Sequence, residues 1–196
     1  MKKTSGFLAI GLLLLTACST PGQAEVTTTS PPQLTATQTQ LLPTLSSPSA
    51  SIIWDDLQVS MDEFEVTGEY TTDFGSTRLP PEGGQFLWVH IQLKNTGPVQ
   101  MEVPLSEHYS VLYAAAELKP TYGHRQGYTD YTTLGPLIFP DQSLDGWLRF
   151  DIPTTAQINE LLLVFIPESA QVGASYESPN YPYAADKPTY VWKFSP

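Results

Sequence analysis

Apolar and polar side chains alternate with a period of two through much of residues 51–196. That is the spacing of a strand with one buried face, because successive side chains on a strand point to opposite sides. Leu57, Val59 and Met61 share one face of a first strand, and residues 63–70 repeat the alternation with Phe64 and Val66. Gly83 and Gly84 then open the clearest strand, residues 85–94. Its Leu87, Val89, Ile91 and Leu93 point inward, whereas Phe86, Trp88, His90, Gln92 and Lys94 point outward. Asn95-Thr96-Gly97-Pro98 closes it as a turn. Residues 109–113 form a further strand and 117–122 a weaker one. Pro140-Asp141 turns the chain into residues 143–152, where Leu144, Leu148, Phe150 and Ile152 alternate with Asp145, Trp147, Arg149 and Asp151. Residues 161–166 are continuously apolar, which suits a strand buried on both faces, and residues 189–194 supply a last strand. The only helical turn expected lies around residues 154–159. Seven or eight strands without a long helical period predict an all-β, two-sheet antiparallel sandwich.

The pattern upstream is different. Lys2 and Lys3 precede a nine-residue apolar run at 7–15, too short for a membrane span, which needs roughly 20 apolar residues. The run fits the hydrophobic part of a secretory signal and ends in Leu15-Thr16-Ala17-Cys18. These four residues resemble the lipobox of bacterial lipoproteins, with leucine three before the cysteine and small residues between. The resemblance implies cleavage before Cys18 and a diacylglyceryl group on its thiol. Two acyl chains anchor a protein stably to a membrane, at about 0.8 kcal/mol per buried CH₂. Cys18 is the chain's single cysteine, and this modification accounts for an odd thiol in an exported protein. Ser, Thr and Pro dominate the stretch that follows, and Glu25 is its only charge, so it is expected to be a disordered tether. The sequence therefore divides into a signal (1–17), a lipidated cysteine and linker (18–50) and a folded domain (51–196), held outside the cytoplasmic membrane.

Charge narrows the partners. The formal charge is −11, and without Lys2 and Lys3 seven basic residues face twenty acidic ones, giving −13. Such a field repels phosphate backbones and argues against nucleic acid. The histidines His90, His108 and His124 are far apart and lack metal-ligand spacing, so neither a metal nor a cofactor is expected. The acidic run Asp55, Asp56, Asp62, Glu63, Glu65 has no calcium-loop pattern and reads as a solvated face. Ser106 and His108 lie close together without a third orienting group, and no nucleophile motif is present, so no enzyme is expected.

Two long stretches, with the apolar strand at 161–167 as a third match, carry a further resemblance. Gly84-Gln85-Phe86-Leu87-Trp88-Val89-His90-Ile91-Gln92-Leu93-Lys94-Asn95-Thr96-Gly97 resembles the central strand of the bacterial telokin-like immunoglobulin domains. Residues 140–153, from a proline turn through Gly146-Trp147 to Asp151-Ile152-Pro153, are similar to that family's second hallmark, with Asp141 where a glycine is usual. The family is similar in fold to the mycobacterial immunoprotective secreted antigen. The resemblance implies an immunoglobulin-like sandwich in an exported protein and transfers no function.

Within that topology Trp88 and Trp147 lie on the outward phase of neighbouring strands, beside His90 and Arg149. These four residues are the candidate interaction patch, suited to a protein or cell-envelope partner, and in the alternative reading to a glycan or small ligand. Loops folded over the patch are the competing expectation. The tyrosine-rich stretches 122–131 and 176–183 are candidate binding rims or packed loops.

Overall fold

The computed structural model of the chain describes residues 50–167 and 188–195 and the backbone of residues 44–46. All lie within the unit Gln38–Pro196. Residues 1–17, read above as a signal, Cys18 and residues 176–183 lie outside the described residues.

Among the described residues the strands are, in chain order, β1 (Thr44–Ser46), β2 (Ser51–Trp54), β3 (Leu57–Thr67), β4 (Tyr70–Thr71), β5 (Thr77–Arg78), β6 (Gly84–Asn95), β7 (Met101–Glu102), β8 (Tyr109–Tyr113), β9 (Ala116–Leu118), β10 (Leu137–Ile138), β11 (Ser143–Pro153), β12 (Leu162–Phe165) and β13 (Tyr190–Lys193). They form two main sheets, β11-β6-β3-β2 and β1-β13-β12-β8-β9, with two small ribbons, β4-β5 and β7-β10. All pairings are antiparallel except β1 beside β13. The fold is an antiparallel β-sandwich. Thr44–Ser46 belongs to a sheet, so the folded body reaches back into the stretch read as tether.

The core lies between the two sheets. Leu57, Val59 and Met61 of β3, Leu87, Val89, Ile91 and Leu93 of β6, and Leu148, Phe150 and Ile152 of β11 form one wall. Tyr109, Val111, Leu163, Phe165 and Trp192 form the other. Phe165 meets Trp54 edge to face at 6.0 Å and stacks on Tyr109 at 4.7 Å. The inward phases expected for β6 and β11 are those observed. On β12, Leu163 and Phe165 enter this core while Val164 joins Ile166 and Val191 in a cluster of its own, so the strand is buried on both faces.

Three details depart from the simple alternation. Of the segments read as two strands over 57–70, residues 57–67 are one strand, β3, with a register shift between Met61 and Glu63, and Tyr70 opens β4. An extra residue in one strand of a pair resets its phase, which turns Phe64 toward the core and leaves Glu63 and Glu65 on the other side. The turn at 114–115 holds Ala114 at φ 47° and Ala115 at φ 66°, the left-handed region that a two-residue hairpin needs and that Asn-Gly occupies more easily. Asp141 sits at φ 61°, which explains physically why glycine is favoured at such a place. The expected helical turn is a short 3₁₀ segment, Ile158–Glu160.

Candidate functional site

The site lies on the outer face of the β11-β6-β3-β2 sheet. β6 and β11 run side by side in a register that pairs Trp88 with Arg149 and His90 with Trp147. The four residues expected to form a patch are therefore neighbours. They are not an exposed patch. Trp88 is only 1% exposed, and the side chains of His90 and Arg149 retain 13% and 14%.

The cover comes from two directions. The β4-β5 ribbon brings Tyr70 edge to face onto Trp88 and Phe86, each at 5.0 Å. The segment 119–131 folds back along β11 and lays Tyr128 flat on Trp147 at 4.1 Å and edge-on to Trp88 at 5.6 Å. Three backbone hydrogen bonds fix that segment: Thr121 N–H donates to Arg149 O at 2.7 Å, Trp147 N–H to Thr129 O at 2.8 Å, and Gln126 N–H to Thr71 O at 2.9 Å. The outward phase of a strand says which side a tryptophan takes, and the residues that bury Trp88 come from 18 positions before it and 40 after. Of the tyrosine-rich stretches, 122–131 supplies this cover.

The covering layer is charged as well as aromatic. Arg125 lies over the Tyr128 ring at 4.2 Å and over Trp88 at 5.4 Å. It grips Glu65 with both terminal nitrogens, at 2.7 and 3.1 Å, and the Tyr128 hydroxyl donates to the same carboxylate at 2.5 Å. The Arg125 hydrogen bonds hold the Glu65 carboxyl below its ordinary pKa against the opposing effect of burial. Burial, helped by the bond to Glu65, pushes the Tyr128 hydroxyl up to about 12. A depressed carboxylate pKa contributes stability that is present above the unfolded value and lost as pH falls through the folded one. The stability difference between the wild type and Glu65→Gln should thus shrink as pH is lowered from neutral through the carboxylate range. Urea melts of both proteins across that range provide the check. A difference that is constant with pH would remove the ion pair from the account.

His90 is held by carboxylates from both neighbouring strands, with Nδ1 2.8 Å from Asp62 and Nε2 3.2 Å from Asp145, and its ring tilts against Trp147 at 4.8 Å. The bulge in β3 places Asp62 there. His108 is buried in the 3₁₀ turn Ser106–His108, and His124 approaches Asp130 at 3.5 Å, so the three histidines are not brought together. Among the described residues no group of three or more His, Cys, Asp or Glu is arranged to hold a metal ion, and no helix is long and apolar enough to cross a membrane.

Beside the covered tryptophan the two covering elements diverge and leave a cleft of about 490 Å³. Phe86, Arg149 and Asp151 line it from the sheet side and Tyr70 from the β4-β5 ribbon. Three large apolar side chains border it and are left to solvent: Phe74 at 87% exposure, Leu79 at 72% and Tyr122 at 65%. Arg149 is fixed in place. Its Nη1 donates to the Tyr70 hydroxyl at 2.9 Å and its Nε to Thr121 Oγ1 at 3.0 Å, while its Cζ lies 5.1 Å from the centre of the Phe86 ring. Gly123 passes so close that a Cβ there would stand 2.8 Å from Arg149 Nη1. Phe74, Leu79 and Arg78 carried no signal in the sequence, since a short ribbon without alternation looks like any loop.

No protein-family model matches the chain, and no curated protein matches it in sequence. Solved structures do. The yjhA protein of Bacillus subtilis aligns with a TM-score of 0.52 at 15% identity, covering 78% of this chain and 99% of that one. A functionally unknown protein of Listeria monocytogenes EGD-e aligns with a TM-score of 0.50 at 15% identity, over 76% of this chain and 82% of its own. An uncharacterized β-sandwich protein of Clostridium difficile 630 is similar over 79% of this chain and 95% of its own, at 13% identity and a TM-score of 0.46. The first two share this chain's fold.

Proposed function

We propose that this chain is a non-catalytic binding protein, lipid-anchored through Cys18 outside the cytoplasmic membrane, that engages its ligand at the cleft beside Arg149. The observation that carries the binding half is the juxtaposition of an open concave site with a rigid floor and an apolar border. Ligand sites combine apolar walls with a few fixed polar groups. Here Phe86 and Tyr70 provide the walls, and Arg149 is the fixed polar group. The patch of Trp88, His90, Trp147 and Arg149, the other sequence expectation, is largely covered, with Trp88 1% exposed and Trp147 under the Tyr128 ring. The anchoring half rests on the resemblance of Leu15-Thr16-Ala17-Cys18 to a lipobox, and membership of the telokin-like immunoglobulin domains rests on the strand motifs at 84–97 and 140–153.

Two measurements test the reading. The chain expressed in a bacterium with an alkyne-bearing fatty acid should carry the label and sediment with membranes, and Cys18→Ser should lose both properties. Label retained in Cys18→Ser would overturn the anchor. For the binding half, a photo-crosslinking benzoyl-phenylalanine is placed at Phe74, or at Phe139, which is 54% exposed and lines no part of the cleft. Adducts are expected from position 74 and not from 139. Equal yields, or none from 74, would count against the cleft.

A further inference from the structure

The chemistry of the cleft can be taken one step further, resting on the reading of it as a binding site. The sequence contains three arginines, Arg78, Arg125 and Arg149, in a chain of formal charge −11. All three converge on this one face. Arg125 is consumed by Glu65 and the Tyr128 ring. Arg149 is oriented by Tyr70 and Thr121, and its Nη2 makes no hydrogen bond among the described residues. Arg78 is exposed and stands opposite Tyr70 in the β4-β5 ribbon, and its side chain has no hydrogen-bonding or ion-pair partner among the described residues.

Among the described residues one carboxylate, that of Asp151, lines the cleft. Asp151 lies 3.7 Å from Arg149 Nε, an approach too long for a hydrogen bond but close enough to offset much of one positive charge. Among the described residues two guanidinium groups thus face one carboxylate, an excess of one positive charge between Arg78, Arg149 and Asp151. A strongly acidic protein has no general reason to collect its arginines there. Guanidinium groups suit planar oxyanions, which they bind with paired N–H donors. The apolar border sets the other half of the ligand, since Phe74, Leu79 and Tyr122 can be covered only by something apolar.

The geometry points to a ligand with one carboxylate close to an apolar or aromatic group, the carboxylate between Arg78 and Arg149 and the apolar group against Phe74 and Tyr122. Such chemistry occurs in free aryl and alkyl carboxylic acids and at the C-terminus of a peptide ending in an apolar residue. The cleft volume of about 490 Å³ falls within the range of small-molecule sites.

Titration calorimetry on the full chain in detergent micelles distinguishes these possibilities. N-acetyl-phenylalanine is expected to bind about tenfold or more tightly than its uncharged C-terminal amide, the size of one charge-assisted hydrogen bond. Arg78→Gln, at an exposed position, should reduce binding of the acid toward that of the amide and leave the amide unchanged. Phe74→Ala should weaken both. A tripeptide ending in phenylalanine that binds more tightly than the acetylated residue identifies a peptide terminus as the source, and equal binding identifies a free acid. Either result supports the inference. Equal affinity of acid and amide, no binding of the acid, or tighter binding of a neutral methyl glycoside would overturn it. Cross-linking from position 74 despite such a result would leave the binding reading standing and discard only the ligand chemistry.

Discussion

Trp88→Ala is expected to lower the unfolding free energy by about 3–5 kcal/mol, the usual loss when a large aromatic is removed from a well-packed site. The position is unusual because it is not in the main core. Trp88 stands on the outer face of β6, and what it supports is the layer made by Tyr70, Tyr128 and Arg125. Removing the indole takes one ring partner from each of them at once and leaves its hydrogen bond to Thr67 Oγ1 unmade. Urea denaturation followed by circular dichroism measures the loss. Trp88→Phe keeps a ring between Tyr70 and Tyr128 and should cost much less. A loss below about 1 kcal/mol for alanine would mean that the cover is loosely laid rather than packed.

The second large effect is expected at Asn95→Ala, at about 2–4 kcal/mol. Asn95 is 0% exposed at the end of β6. Its Nδ2 donates to Val99 O at 2.7 Å and Ile138 O at 3.0 Å, and its Oδ1 accepts from Gly97 N–H at 2.9 Å. Its backbone also joins the 139–142 turn, through Asp141 N–H donating to Asn95 O and Asn95 N–H donating to Gln142 O, each at 3.0 Å. One amide thus ties three chain segments, and deleting it strands buried donors and acceptors that cost about 1–3 kcal/mol each. Asn95→Asp should be worse at neutral pH, because a carboxylate would then face the two carbonyl oxygens without a donor. Thermal melts of the two variants at neutral pH check the order, and an aspartate variant as stable as the wild type would contradict this account.

These two residues show where the sequence is and is not informative. The alternation over 85–94 and 143–152 was enough to find β6 and β11 and to assign their inward faces, because one-sided burial imposes period two, whereas their being neighbours followed only from the topology that the family resemblance implied. Leu163, Val164 and Phe165 were legible for the same reason, with the opposite pattern. Asn95, read from composition, is a turn former, and nothing local distinguishes an amide in solvent from one buried among three segments. Trp88 was placed on its correct side, but its burial depends on Tyr70 and Tyr128, whose positions follow from tertiary folding. The border of the cleft was illegible because Phe74 and Leu79 flank a two-residue ribbon, too short for any periodicity.

The segment 119–131 that closes over Trp88 has another effect at the rim of the same sheet. β11 is its outermost strand, and Arg149 O and Trp147 N, which would otherwise be open to a foreign strand, are already bonded to Thr121 and Thr129. At the opposite rim β2 offers only four residues. An unpaired strand edge is a template for self-association, a hazard that rises with the local density of copies. By sealing its long edge with its own chain, this sheet limits cross-β growth between molecules crowded side by side.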